Sequence, residues 1–372
     1  MSHLVRSLWF WITVLLIAAG VALAASLGAF YWLLAALAVA VLLIASVFLR
    51  AAYAVGRGQR PELPRLSEVA HKDRIPVILD CDLTLGRPFR NVGDGLALLY
   101  LLGEPRVDVR AITTTYGNGP QSLTAHTTRR LLEQLDLTGI PVVPGASGPA
   151  EDRQENQAAR YLVDAVAADG GQVVVVATGA MTNLKHAGSL DKDFFGRLRG
   201  LHLMGGATGS LTWNGRRLQE RNFSLDPEAA YAALRAECPT TITPGEAGLT
   251  AIFRSEQYAA LQTMDDPVSE LIVRKSRLWF ALMRLWFRDD GFGLWEPMTA
   301  LTVTHPEFFD MERVCLPVSV QDLYDGGLKL TPDSRGRVQL VRSVRDHEGL
   351  FQTLLAAWNR LGRLAERERW SA

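Results

Sequence analysis

The sequence predicts an α/β fold, a mostly parallel open sheet with helices on both faces, preceded by a separate two-helix transmembrane hairpin. Three observations carry that reading. From Ile75 onward, continuous apolar runs of strand type alternate with helix-type segments, the pattern of a parallel sheet covered on both faces. Ahead of it, no charged side chain occurs between Arg6 and Arg50. Between the two, residues 56–74 (GRGQRPELPRLSEVAHKDR) are rich in proline, glycine and charge, the composition of a linker.

The uncharged run from Ser7 to Leu49 exceeds one bilayer crossing, because about 20 helical residues already span the hydrocarbon. It is read as two helices, residues 1–55, with the turn near Ser26-Leu27-Gly28 and with Trp9, Trp11, Tyr31 and Trp32 at the interfaces. A cleaved secretory signal is the competing reading, but its apolar region would be only about 7–15 residues long. Arg6 precedes the first span, and Arg50, Arg57 and Arg60 follow the second. The excess of positive charge at both ends therefore places the following domain in the cytoplasm, on a protein that crosses the membrane twice.

Composition excludes several classes. Lys plus Arg equals Asp plus Glu at 39 each, and no basic run interleaves with aromatics, so nucleic acid is not an expected partner. Cys81, Cys238 and Cys315 are scattered, without CxxC spacing, which suits neither a disulfide framework nor a zinc site. The length of the remaining segment, 75–372, suits one large domain without internal repeats.

Within it, the strand-type runs are 75–80 (IPVILD), 109–115 (VRAITTT), 141–145 (PVVPG), 172–178 (QVVVVAT), 201–206 (LHLMGG) and 240–245 (TTITPG). Helical segments lie between them, around 95–102, 131–135, 161–168 and 227–236. The run 274–290 spaces Leu278, Leu282, Leu285 and Trp286 at helical intervals and is interrupted by Arg277, Arg284 and Arg288; it reads as a buried or pocket-covering helix, not a membrane contact.

Ligands of open α/β sheets sit beyond the carboxyl ends of the strands, which makes the residues after each apolar run the candidates for chemistry. The first run ends in Asp80-Cys81-Asp82, whose carboxylates are two apart, and a helix near Asp94 brings a third. Carboxylates gathered without nearby cations repel one another, and a hard divalent ion with oxygen ligands relieves them. Asn118 follows the second strand in a glycine-bounded turn, Thr178-Gly179 ends the fourth, and Met204-Gly205-Gly206 ends the fifth; Glu220 and Asn222 come next, again two apart. The histidines His71, His126, His202 and His305 read as structural, with His126 nearest to the candidate pocket.

Taken in order, DCDLTLGRPFRNVGDGLA, AITTTYGN, VATGAMTN, LMGG, ERNFSLDPEAA and WEPMTAL resemble the motif series of the inosine-uridine preferring nucleoside hydrolase family, from about Ile75 to about Phe309 and weakly through the C-terminal helix. The resemblance implies a Rossmann-like core and calcium-dependent hydrolysis of the N-glycosidic bond of a ribonucleoside or related ribosylated ligand, giving free base and ribose. It implies Asp82 as a calcium ligand and the base that takes the proton of water, with Asp94, Glu296 and the Thr178 carbonyl as further ligands and Asp80 behind them. It also implies Asn118, Glu220 and Asn222 as ribose contacts, with Met204 packing beside the sugar.

The chain departs from that family at three places. The adjacent Asp pair is Gly93-Asp94 here, and the loop between Asp82 and Asp94 is longer and carries Arg87 and Arg90. Those arginines offer a phosphate or carboxylate contact, or are solvated loop charges. The late His-Asp is Trp295-Glu296, which removes a proton donor and puts an indole where it could stack on a base or pack beneath the domain. The opening DxDxT also fits haloacid dehalogenase-like phosphatases, with Thr178 and Lys185 in later roles, but the following acidic motif comes in the wrong chain order. The sequence thus points to an N-ribohydrolase of a nucleoside-like small molecule, anchored in the membrane and with a homo-oligomer open. A catalytically degenerate nucleoside-binding or interaction module is the alternative.

Overall fold

In the computed structural model, residues 14–20, 29–53, 61–150, 156–333 and 335–371 are described. The chain divides into two units, Met1–Ala54 and Val55–Ala372.

In the first unit, Ala29–Tyr53 forms a helix of 25 residues on which Leu33, Leu37, Val41 and Ile44 are exposed. The turn expected at Ser26-Leu27-Gly28, the flanking Arg6, Arg57 and Arg60, and the interfacial Trp9 and Trp11 lie outside the described residues. Among the described residues no helix is long and apolar enough to cross a membrane, so the two-span hairpin gains no support. Its physical argument was the length of the uncharged run, and much of that run falls where nothing is described.

In the second unit the strands in chain order are β1 (Ile75–Cys81), β2 (Val107–Thr114), β3 (Val142–Pro144), β4 (Val174–Ala177), β5 (Gly200–Met204), β6 (Thr212–Trp213), β7 (Arg216–Arg217), β8 (Thr240–Thr243), β9 (Ile252–Arg254), β10 (Gly291–Gly293), β11 (Phe309–Cys315), β12 (Thr331–Pro332) and β13 (Val338–Val344). Among the described residues, nine of them form one sheet in the order β12-β11-β13-β8-β5-β4-β1-β2-β3. Pairing is parallel from β13 to β3. It is antiparallel where β11 joins β13 and β12. The predicted mostly parallel sheet is therefore present, and each of the six strand-type runs overlaps a strand of it. The antiparallel edge was not foreseen.

Burial explains the continuous apolar runs. Along β1, Val77, Leu79 and Cys81 enter the core on one face of the sheet, while Ile78 enters the core on the other. A strand covered on both sides has no polar face to present, and each fully buried Val or Leu contributes about 1.5–3 kcal/mol. The covering helices include Gly93–Gly103, Gln121–Gln134, Gln157–Ala168, Thr182–Leu190 and Pro227–Leu234. The last begins at Asp226-Pro227: the Asp226 side chain accepts the Ala229 N–H and proline takes the first helical position, where no backbone donor is needed. The run around 274–290 is likewise helical, over Pro267–Phe287.

Strand order places β1, β4 and β5 side by side at the centre. Their carboxyl ends, together with the turn after β2, carry Asp80, Asp82, Asn118, Thr178 and Met204 to one edge of the sheet.

Candidate active site

Asp80 is the last polar residue within β1 and is fully buried. Thr113 of β2 and Asn183 of the helix Thr182–Leu190 donate to its Oδ1 at 2.6 and 2.7 Å, while its Oδ2 has no hydrogen-bond partner among the described residues. Burial pushes its pKa up to about 7. Its carbonyl accepts the Thr178 N–H at 2.8 Å, which fixes the end of β4 beside the end of β1.

Asp82 is buried just beyond the strand, and its Oδ2 accepts the backbone N–H of Asn118. Gly117 makes that approach feasible: its φ is +144°, and a Cβ there would lie 2.2 Å from Asp82 Oδ2. Asp94, in the first turn of the helix Gly93–Gly103, receives the Thr178 hydroxyl on Oδ1 at 2.6 Å, and its Oδ2 has no hydrogen-bond partner among the described residues. Glu296, in the first turn of the helix Trp295–Leu301, receives Asn91 Nδ2 on Oε1 at 2.8 Å and leaves Oε2 unpartnered.

These acids share a common electrostatic state. Desolvation, and then the charge of Asp94, push the Asp82 carboxyl well above its ordinary value. Desolvation and then Glu296 push Asp94 to about 7. Desolvation, with a further contribution from Asp82, raises Glu296 to about 8. The cluster is thus paid for in solvation and mutual repulsion, with Arg221 the positive charge that acts on Asp82.

Buried, unpartnered carboxylate oxygens fit a hard divalent cation, which prefers several oxygen ligands. Asp82, Asp94 and Glu296 are the residues that could hold one. Among the described residues, however, no three His, Cys, Asp or Glu side chains form a ready-made metal cage. The Thr178 carbonyl, expected as a ligand, accepts Asn222 Nδ2 at 2.9 Å.

The expected sugar contacts are found at the same sheet edge, each already engaged. Asn118 donates through Nδ2 to Thr84 Oγ1 and to the Asn91 carbonyl, and its Oδ1 accepts the Asn91 N–H at 3.2 Å. Glu220 accepts three backbone N–H groups, from Gly206, Phe223 and Ser224, at 3.0–3.1 Å. Asn222 Nδ2 also reaches the Met204 carbonyl at 3.0 Å and the Met204 sulfur at 2.8 Å. Trp295 donates its indole N–H to the Gly245 carbonyl at 2.8 Å, fits against Gly248 and Gly293, and meets Trp213 edge-on. Of the two readings of Trp295, packing is the one the geometry carries.

Arg90 of the long loop donates to the Asn118 carbonyl, while Arg87 donates to Thr127 Oγ1 at 3.0 Å. Lys185, the lysine a phosphatase reading would need, pairs with Asp226 at 2.8 Å. His126 is exposed on its helix. The Tyr116 hydroxyl lies 3.1 Å from Thr182 Oγ1, and burial raises its pKa to about 12.

Three participants escaped sequence reasoning. Asn183 holds Asp80 and also accepts the Ala146 N–H at 2.8 Å. Arg221 reaches the Gly117 carbonyl at 3.3 Å and acts on Asp82. Asn91 connects the long loop to Glu296. All three lie inside motifs of the series, Asn183 in VATGAMTN, Arg221 in ERNFSLDPEAA and Asn91 in DCDLTLGRPFRNVGDGLA, but nothing local in the sequence marks what each side chain holds.

Comparison with known proteins identifies the family and the fold. The family described as inosine-uridine preferring nucleoside hydrolase matches residues 77–352. The chain is 25% identical over 284 residues to the pyrimidine-specific ribonucleoside hydrolase RihA of Escherichia coli O139:H28, covering 68% of this chain and 87% of that protein. Among solved structures, the plant nucleoside hydrolase PpNRh1 superposes with a TM-score of 0.66 at 22% identity, covering 77% of this chain and 98% of that one. A purine-preferring ribonucleoside hydrolase from Gardnerella vaginalis gives 0.66 at 21%, covering 78% and 99%.

Proposed function

Because the chain belongs to the inosine-uridine preferring nucleoside hydrolase family and is an N-ribohydrolase, we propose that it cleaves ribosides with Asp82 as general base and calcium as its cation. The observation that carries this reading is the convergence of Asp82, Asp94 and Glu296, buried at the carboxyl edge of a parallel sheet with two of their oxygens unpartnered.

Asp82, Asp94 and Glu296, with the Thr178 carbonyl, would hold the ion. When bound it supplies positive charge that offsets their repulsion and orients water and sugar hydroxyls. Asp82 accepts the proton of the attacking water, and the Asn118 N–H fixes the carboxylate that does so. A C–O bond forms at the anomeric carbon, the C–N bond breaks, and the leaving base carries away the electron pair. Asn118, Glu220 and Asn222 supply polar contacts to the sugar, and Met204 packs beside it. Trp295 offers no titratable proton, because an indole N–H does not ionise near neutral pH, and that donor is in any case engaged by the Gly245 carbonyl. The leaving group therefore departs without an acid at that position, which favours ribosides with good leaving groups over ordinary purine nucleosides.

Membrane attachment through the N-terminal segment is a further part of the proposal, supported by the uncharged run and by the exposed leucines of Ala29–Tyr53. A reporter fused after Ala372 is expected to report a cytoplasmic location; strong extracytoplasmic activity contradicts it. The catalytic part is tested by a reducing-sugar assay across inosine, uridine and an activated aryl riboside, with chelation and calcium add-back. Sugar release that chelation abolishes and calcium restores is the expected result, and release indifferent to chelator opposes the calcium assignment.

A further inference from the structure

We propose that Asn91 is a positioning residue for Glu296, and that Asn91, Gly93 and Glu296 form one interlocked unit built by the long loop of this chain. The functional half of the inference rests on the cation-supported reading above; the interlock itself does not.

Asn91 works in two directions. Its Nδ2 donates to Glu296 Oε1 at 2.8 Å, and its Oδ1 accepts the Gly93 N–H at 2.9 Å. Its backbone is fixed as well: Asn118 Oδ1 accepts the Asn91 N–H at 3.2 Å, and the Asn91 carbonyl accepts Thr84 Oγ1 and Asn118 Nδ2, each at 3.0 Å. A side chain held at both ends on a pinned backbone has little freedom, so the carboxylate it grips is held too.

Gly93 is the other half of the lock. A Cβ at that position would lie 1.8 Å from Glu296 Oε2 and 2.5 Å from its Cδ. No side chain fits there while Glu296 keeps its place, and Glu296 is buried with one oxygen bound by Asn91. The absence of an acid at position 93 and the longer acid at position 296 are therefore one change. The extra methylene of Glu296 carries its carboxylate into the space that a side chain at 93 would fill. Oε2 is left unpartnered there, next in sequence to Asp94, whose Oδ2 is unpartnered as well. Second-layer groups that orient metal ligands are typically worth about 10–100-fold in affinity, which sets the scale for Asn91.

The test uses the full-length protein and calcium alone as the probe. Asn91→Ser keeps an acceptor for the Gly93 N–H but cannot reach Glu296. It is expected to lower the melting of the metal-free protein by no more than the several degrees that one lost buried hydrogen bond costs, and to weaken calcium binding by about tenfold or more. Unchanged calcium affinity would reduce Asn91 to a helix-terminus acceptor and overturn the positioning role. In parallel, Gly93→Ala and Glu296→Asp are combined in a double-mutant cycle read by melting of the metal-free protein. Gly93→Ala is expected to destabilise the wild-type background and to be tolerated when Glu296→Asp is also present. Additive effects would overturn the interlock whatever the calcium result. A wild-type chain that binds no calcium yet shows the non-additive cycle would sink the cation reading and leave the interlock standing.

Discussion

Thr178 donates its hydroxyl to Asp94 Oδ1 across 2.6 Å, joining the carboxyl end of β4 to the first turn of the helix Gly93–Gly103 inside the acidic cluster. The bond engages one buried carboxylate oxygen while the other stays without a partner among the described residues. Thr178→Val removes the donor at nearly constant shape. A buried acceptor left without its partner costs about 1–3 kcal/mol, so the variant is expected to melt several degrees below wild type in thermal unfolding. A melting point equal to wild type contradicts the role.

Glu220 closes the loop before the helix Pro227–Leu234 by accepting three backbone N–H groups. Glu220→Gln replaces one acceptor oxygen with a donor and sets it against a backbone donor. The expected result is a loss of about 1–3 kcal/mol in chemical denaturation. An unaltered denaturation midpoint, accompanied by weaker riboside binding, would assign Glu220 to the sugar alone.

His202 of β5 is neutral in the fold because burial lowers its pKa to about 4, against 6.5 when unperturbed. Its Nδ1 lies 2.7 Å from Thr302 Oγ1, whose own proton goes to the Thr299 carbonyl, so Nδ1 is the protonated nitrogen. The unfolded chain binds more protons between these two values, and stability contributed by His202 is therefore lost as pH falls from about 6.5 to about 4. His202→Asn is expected to flatten that part of the stability profile. An identical slope in urea titrations at pH 4.5, 5.5 and 6.5 would show that other groups set it.

Much of this fold was legible because the parallel strands are buried on both faces and announce themselves as continuous apolar runs. β1 and β4 are of this kind, and the polar residues that end them, Asp80, Asp82 and Thr178, do meet at one edge. The antiparallel edge was not legible. β11 and β13, FDMERVC and VQLVRSV, mix charged with apolar residues because part of each strand faces solvent. Side-chain commitments were also hidden. Glu220 and Asn222 are two apart, which would set them side by side on a strand, but they lie in an irregular loop where the Glu220 carboxylate turns inward to backbone donors. The partnership of Asn91 with Glu296 spans 205 positions, and no local pattern encodes it.

The central claim, a riboside hydrolase in which Asp82 removes the proton from water, is tested most directly by comparing wild type with Asp82→Ala on an activated aryl riboside at saturating calcium. The account expects ready release of the aryl group by wild type and a loss of about 10²–10⁴ in kcat in the variant. Aryl release by Asp82→Ala at the wild-type rate, or a wild-type protein that binds the riboside and leaves it intact, contradicts it.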